Sequence, residues 1–331
     1  MEDSVCVVTV TYGDRWDLLN QVLLSLNENN LIKNIIIVNN NSMNDISNLS
    51  SHISNRIKVI NLEENLGSAY GYHIGIEAAI ATDSEYIWLL DDDNKPNNNA
   101  LENILENWKK ISGVEDKIGL LSLRNDRKEY VQAASDIMAK NIFPNKNSFL
   151  GFHLPEIPKK LIKKIFLSNK KSNYGVGNKL VEVPYAPYGG FFFHKTLINK
   201  IGLPNKEFYL YADDHEFTHR IIKSKGKIYL DPTSCIYDLE HSWYLKDKKP
   251  YLISLLLSDE EKRVYYGVRN RVYFEQKDLR NRINVYQCNK WIVIILLLTL
   301  SLLFKKKARF KLIMKAINNG ENGKLERYFS V

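Results

Sequence analysis

The sequence predicts an α/β fold with a mostly parallel central sheet flanked by helices, followed by a helical C-terminal extension. Three observations carry this. Short apolar runs alternate with helix-period segments from Val5 to Ile111, the rhythm of strand–helix–strand units. The runs are continuous and β-branched rather than alternating, as in strands covered on both faces. Polar clusters follow the carboxyl ends of the runs, where ligands gather in such sheets.

Val5–Tyr12 (VCVVTVTY) is the first strand, and Leu18, Leu19, Val22, Leu23 and Leu26 mark a helix over Asp17–Asn27. Asn34–Val38 (NIIIV) is a second strand ending in Asn39-Asn40-Asn41-Ser42, Asp45–Ile53 a short helix, and Ile57–Asn61 a third strand. Asn65-Leu66-Gly67 turns into a helix over Ala69–Ala81, whose small residues allow close packing. Tyr86–Leu90 (YIWLL) is a strand running into Asp91-Asp92-Asp93, with a helix over Leu101–Ile111 beyond. The Asn-rich stretch Asn94–Asn99 is loop-biased. Ser148–Lys179, with Pro155, Pro158 and many lysines, reads as an insertion or mobile loop. Periodicity returns over Val181–His194 and Glu207–Gly226, and Lys227–Leu230 is a strand that stops before Pro232.

Composition bounds the function. The chain has 331 residues, 44% hydrophobic and 25% charged, a globular balance that excludes disorder, collagen-like repeats and a multi-span membrane protein. Cys6, Cys235 and Cys288 are scattered, with no pair at CxxC spacing, so neither a zinc ribbon nor a disulfide framework is expected. The acidic start Met1–Ser4 leads straight into the first strand, and no export signal is read there. The net charge of +8 concentrates at Lys159–Lys171, Lys246–Lys249, Arg263–Arg282 and Lys305–Lys311. That implies an anionic partner. No nucleic-acid-binding module accompanies the charge, so nucleic acid is not expected. The 14-residue run Trp291–Phe304 lies between Lys290 and Lys305-Lys306-Lys307. As a helix it would reach only ~21 Å, short of the bilayer core. It reads as a helix lodged at an anionic membrane surface, or as a buried C-terminal helix.

Two acidic clusters carry the chemistry. Three adjacent aspartates at the end of a buried strand repel one another. A divalent cation, Mn²⁺ or Mg²⁺, would remove the conflict; a solvated acidic turn is the plainer alternative. The second cluster, Tyr211-Ala212-Asp213-Asp214-His215-Glu216-Phe217, opens a helix. Capping explains one aspartate, and the excess admits a general base. The helix dipole lowers a carboxyl pKa there, so a base needs a compensating carboxylate or geometry. His241 alone is a weak ligand candidate. Gly189-Gly190 allows close approach to a ligand, or simply a turn.

Together these segments resemble the inverting glycosyltransferases of family 2, which have the GT-A (nucleotide-diphospho-sugar transferase) fold. VTVTYGDR looks like the family's first strand and turn, IIIVNNNS its nucleobase-side motif, and NLEENLGSAYGYHIGI its Gly-containing loop and helix. WLLDDDNKPN is similar to its metal-binding segment, and YLYADDHEFTHRI to the one bearing the base. RVYYGVRNRVY and NNGENGK resemble the branch of bacterial galactofuranosyl- and rhamnosyltransferases. The resemblance implies donor contacts from Thr11, Tyr12, Arg15, Asn40, Asn65, Gly67, Asp91 and Asp92. It implies a metal held by Asp93, Asp91 and His241, and Asp214 as base with Asp213 its close second. Gly189, Gly190 and Glu216 would lie on the acceptor side, and Arg220 would reach phosphate or line a solvated helix face. Residues 1–245 would be the catalytic domain, its nucleotide half about 1–130 and its acceptor half about 131–245. Residues 246–331 would be a helical, basic, membrane-associating region. The implied partners are a nucleotide-sugar donor (a UDP-sugar, galactofuranose ahead of rhamnose), a lipid-linked or lipopolysaccharide saccharide acceptor, and the anionic membrane; a homo-oligomer is left open. The implied place is cytoplasmic, peripheral on the inner face of the cell membrane. Asn39 stands where the family commonly has Asp, Ser68 and Tyr70 where this branch has Gly, and Gly13 where Asn is usual. A nucleotidyltransferase or a dinucleotide dehydrogenase would need a Gly-rich loop after strand one that Thr11–Arg15 lacks. A scaffold of the same fold without activity is the alternative, and both acidic clusters speak against it.

Overall fold

The computed structural model describes residues 3–111, 115–135, 143, 145–156, 177–240 and 250–329. The strands are β1 (Val5–Gly13), β2 (Ile32–Ser42), β3 (Ile57–Leu62), β4 (Tyr86–Leu89), β5 (Asn94–Pro96), β6 (Ile118–Arg124), β7 (Val181–Val183), β8 (Phe191–His194) and β9 (Lys227–Asp238). They form one nine-stranded sheet in the order β3-β2-β1-β4-β8-β6-β9-β5, with β7 also on β9. β3, β2, β1 and β4 run parallel, β8 is antiparallel to both its neighbours, and β6 and β9 are again parallel. Cys6, Val8 and Val10 enter one apolar cluster with Ile36, Val38 and Ile76. Val5 and Val7 enter another with Leu19, Leu23, Ile35 and Trp88. Both faces of β1 are therefore covered, which is why its sequence is apolar without alternation.

Three elements depart from the sequence reading. The Asn94–Asn99 stretch contains β5, which pairs with the far end of β9. Pro96 is tolerated because β5 ends the sheet. β9 does not stop at Leu230: opposite Ser122 and Leu123 of β6 its pairing jumps from Asp231 to Cys235, so Pro232 sits in a bulge and the strand resumes to Asp238. In the expected insertion Ser148–Lys179, the first residues are tied down: buried Glu275 accepts from the backbone N–H of Leu150 (2.6 Å) and Gly151 (2.9 Å). Residues 157–176, which include the whole Lys159–Lys171 cluster, lie outside the described residues, as do Lys246–Lys249.

The C-terminal helices Tyr251–Leu257, Glu261–Phe274, Ile283–Leu303 and Lys307–Glu321 share a core with Phe149 and Leu150, and Tyr209 and Leu210 pack against it. They are thus built onto the sheet domain. Helix Ile283–Leu303 has 21 residues, longer than the apolar run alone, because Ile283–Lys290 joins it. One face of this helix is buried and the other exposed. Tyr286, Asn289, Val293, Ile294, Leu297 and Ser301 are buried, while Trp291, Ile295, Leu298 and Leu302 form an exposed stripe.

Candidate active site

β4 carries the chain out of the core and straight into the aspartates. Asp92 is 4% exposed. Its carboxylate accepts from Thr11 Oγ1 at 2.8 Å and Arg15 Nε at 2.9 Å. Arg15 also pairs with Asp93 (3.3 Å) and with Glu240. Thr11 and Arg15, expected on the nucleotide, hold Asp92 in this structure. Asp91 meets the Tyr72 hydroxyl at 2.9 Å and Arg124 at 3.2 Å. Arg124, buried at the end of β6, also pairs with Asp238. Burial pushes the Asp93 carboxyl up to about 7, with Asp91, Asp92 and Asp238 adding to the rise. Burial is the larger cause, and the neighbouring carboxylates add the like-charge repulsion expected from the sequence. Among the described residues no group of three or more His, Cys, Asp and Glu is arranged to hold a metal. His241 lies outside them.

The glycine pair borders this cluster. A Cβ at Gly189 would lie 2.2 Å from Asn94 Oδ1 and 2.6 Å from Asp91 Oδ2. Gly190 has φ +91° and splices two strands, donating to Leu89 O (2.8 Å) and accepting from Ser122 N (2.9 Å). Gly189 is packed against the Asp91 and Asn94 side chains, and Gly190 makes the turn.

The next loop departs from expectation. Asn40 is buried, and its amide is consumed locally: Oδ1 accepts from Leu66 N (2.8 Å), and Nδ2 donates to Gly67 O (3.1 Å) and faces Asn65 Oδ1 (3.3 Å). Asn65 Oδ1 accepts from Gly67 N at 3.0 Å. Asn40 therefore shapes the loop. Tyr12 is exposed, with the Arg15 guanidinium 5.5 Å from its ring.

The helix Asp213–Lys223 is entered through a strained turn. Tyr209 has φ 65° and ψ −64°, and Leu210 N donates to Phe208 O at 2.8 Å, closing a γ-turn of the rare left-handed-φ kind. Tyr211 (φ 69°) and Ala212 (φ 58°) follow. Each such residue costs about 1–3 kcal/mol, and strain of this kind gathers at functional sites. Gly67, at φ +84°, is pressed against this turn: a Cβ there would lie 2.0 Å from Tyr209 O.

Past the turn, the two aspartates have different surroundings. Asp213 is 2% exposed and accepts from Ser68 Oγ at 3.1 Å. Burial first, then Asp214, pushes it up to about 8. The Asp214 side chain is 23% exposed and accepts from His215 N at 2.8 Å. Burial pushes it up to about 7; the His215 N–H opposes the rise and the Asp91 charge adds to it. Asp91 is thus the compensating carboxylate that a base on this helix requires, and the two acidic clusters share one field. Burial holds His215 down at about 3, hence neutral.

Glu216 is buried against Arg220, which also donates to Ile201 O (3.0 Å) and Leu203 O (2.9 Å). Both tie the helix to the preceding segment.

Four residues here escaped sequence reasoning: Tyr72, Arg124, Arg269 and Asn270. Arg124 carried a signal, for it ends the apolar run Ile118–Leu123 as Asp91 ends Tyr86–Leu90. Arg269-Asn270 interrupts the apolar positions Val268 and Val272, and both are fully buried.

A mixed, mostly parallel sheet with acidic residues converging at its strand ends defines the GT-A class. A crystal structure of GalNAc-T7 with UDP, GalNAc and Mn²⁺ superposes with TM-score 0.53 at 14% identity, over 80% of this chain and 48% of that one. The chain thus spans about half the length of that structure, and the likeness is one of fold. The crystal structure of S. aureus TarS 1–349 aligns at TM-score 0.46 and 14% identity over 99% and 93% of the two chains. Residues 6–120 match the model of Glycosyl transferase family 2. It is 20% identical over 275 residues to galactofuranosyltransferase GlfT1 of Mycolicibacterium smegmatis (strain ATCC 700084 / mc(2)155), covering 82% of each chain.

Proposed function

We propose that this protein is an inverting glycosyltransferase that moves a sugar from a nucleoside-diphosphate donor to a saccharide acceptor, with Asp214 as general base. The observation that carries this reading is the placing of Asp214: partly open, raised toward neutrality by burial and by Asp91, beside an Asp213 already held by Ser68. In a single displacement, Asp214 takes the proton of the acceptor hydroxyl as its oxygen bonds to the anomeric carbon. The bond from that carbon to the diphosphate breaks, and its electron pair leaves on the phosphate oxygen. The family resemblance implies Mn²⁺ or Mg²⁺, which Asp93 would hold with Asp91 and His241. When bound, the ion would neutralise charge growing on the diphosphate. Arg15 and Thr11 fix Asp92, and with it the turn that carries Asp91 and Asp93.

The donor we favour is a UDP-sugar, with galactofuranose ahead of rhamnose; the GlfT1 likeness supports this order. The acceptor we favour is a lipid-linked or lipopolysaccharide-type saccharide in bacterial surface polysaccharide synthesis. Residues 1–245 would then be the catalytic domain and 246–331 a membrane-associating region, peripheral on the cytoplasmic face. The exposed stripe of helix Ile283–Leu303, flanked by Lys305–Lys307, supports that placement.

The test is binding and turnover of UDP-, GDP- and dTDP-sugars with and without Mn²⁺. Metal-dependent binding of one nucleotide class, lost in Asp93→Ala, is the expected result. Binding to none of them would leave the inactive-scaffold reading standing.

A further inference from the structure

The strained turn before Asp213 is held from a distance of some sixty residues along the chain, by a side chain of the C-terminal helices. Asn270, fully buried in helix Glu261–Phe274, points its amide nitrogen at three backbone carbonyls: Phe208 (2.8 Å), Leu210 (2.7 Å) and Tyr211 (2.9 Å). Those carbonyls flank Tyr209 and reach to Ala212, the residues with left-handed φ. Arg269 orients the amide, donating from Nε to Asn270 Oδ1 at 2.8 Å. It also donates to Phe208 O (3.0 Å) and to Glu326 O (2.7 Å), and its guanidinium lies 4.8 Å from the Tyr266 ring centre. Arg269 bonds the Tyr265 side chain as well. A buried guanidinium without a carboxylate stabilises a core less than an apolar side chain would; what it adds here is direction.

Gly320 completes the clamp from behind. A Cβ there would lie 2.3 Å from Arg269 O, so only glycine lets helix Lys307–Glu321 close on this backbone.

We infer that Asn270, oriented by Arg269, is a positioning residue for the transfer reaction: it imposes the γ-turn at Tyr209 and so fixes where Asp213 and Asp214 stand. The C-terminal helices are then part of the catalytic apparatus as well as a platform beside it. The same region reaches the nucleotide-side loop by a separate contact. Arg327 pairs with Glu64 (3.1 Å) and donates to Asn65 O (3.2 Å). The two contacts should separate in kinetics, Asn270 governing the chemical step and Arg327 donor binding.

The kinetic arm rests on the transferase reading; the structural arm does not. The variants are Asn270→Asp, isosteric but without the donor nitrogen, Asn270→Ala, and Val272→Ala as a control for core loss in the same helix. Amide hydrogen exchange of the full-length protein is read over 208–214. Both Asn270 variants should exchange there faster than wild type, while Val272→Ala keeps wild-type protection despite a lower Tm. With the best UDP-sugar of the donor panel, kcat should fall ~100-fold in Asn270→Ala, the scale of a misplaced catalytic group. The Kd of UDP with Mn²⁺ should stay within ~3-fold, and Arg327→Ala should show the reverse split. Should Asn270→Asp misfold, Asn270→Ala against Val272→Ala still decides. Equal protection of 208–214 in those two overturns the clamp whether or not any donor is turned over. A kcat loss matched by Val272→Ala overturns it as well.

Discussion

At the scale of single residues, Asp213 and Asp214 are adjacent in sequence and unequal in surroundings. Ser68 fills one acceptor position of a buried Asp213, while Asp214 keeps an open side. We therefore expect Asp214→Asn to lower transfer by roughly 10²–10⁴-fold, the usual contribution of a general base, with UDP affinity intact. A larger loss in Asp213→Asn than in Asp214→Asn, measured by steady-state rates, would reverse the assignment. With the Asp214 carboxyl near 7, the acid limb of kcat/KM should rise through about pH 7. Stability runs the opposite way. Both carboxyls titrate above the ordinary value of 3.8, at about 8 and about 7. Between about pH 4 and pH 8 these two carboxyls bind more protons in the folded than in the unfolded chain, so the stability they contribute falls as pH rises, while His215, held at about 3, opposes this below about pH 6.5. Urea unfolding at pH 5 and pH 8 should show this fall in wild type and a shallower one in Asp214→Asn. An equal slope in both would mean that Asp214 is not perturbed.

At the scale of elements, the contact between the Gly67 loop and the Tyr209 turn makes a sharp prediction. Gly67→Ala places a methyl where a backbone carbonyl stands and forces alanine to φ +84°. The dihedral alone costs about 1–2 kcal/mol. Because the obstacle is backbone, the turn must move, so kcat should drop along with stability. Chemical denaturation and rates on the same sample check this; a destabilised variant of normal kcat would refute the coupling. The same elements show what sequence could reveal. β1, β2 and β4 are legible because burial on both faces writes an unbroken apolar run. The aspartates after Tyr86–Leu90 stand out by their charge at the end of such a run. β5 is three residues with a proline, and exists only because β9 carries past its bulge to meet it. The family resemblance places Asn40 beside the nucleobase, while its loop bonds to Leu66 and Gly67 leave no trace in local sequence. Asn270 was invisible for a related reason. Its partners lie about sixty residues away, and local periodicity records which face a residue occupies but not what its amide meets.

At the scale of the molecule, the proposed association with a membrane turns on helix Ile283–Leu303. It is long enough and apolar enough to cross one by length and composition. Its packing argues for lying flat. Asn289 is fully buried and bonded to Asn147 O (2.8 Å) and Leu154 N (3.0 Å), so one face is locked to the protein. A spanning helix would have to break those bonds and strip Tyr286, Val293 and Leu297 from the shared core. The opposite face presents Trp291, Ile295, Leu298 and Leu302, and Lys305, Lys306 and Lys307 follow at its end. An apolar stripe ending in lysines fits the headgroup boundary of an anionic leaflet. Ile295 and Leu302, 60% and 53% exposed, carry little of the fold. Ile295→Glu with Leu302→Glu should leave Tm nearly unchanged, since exposed substitutions rarely shift stability by more than about 0.5 kcal/mol. It should abolish co-sedimentation with vesicles containing phosphatidylglycerol. Wild-type binding should weaken with added salt and be poor on purely zwitterionic vesicles, because the lysines act through a screened field. If the double variant pelleted with anionic vesicles as well as wild type does, the stripe would not be the docking face. The basic residues alone would then account for attachment.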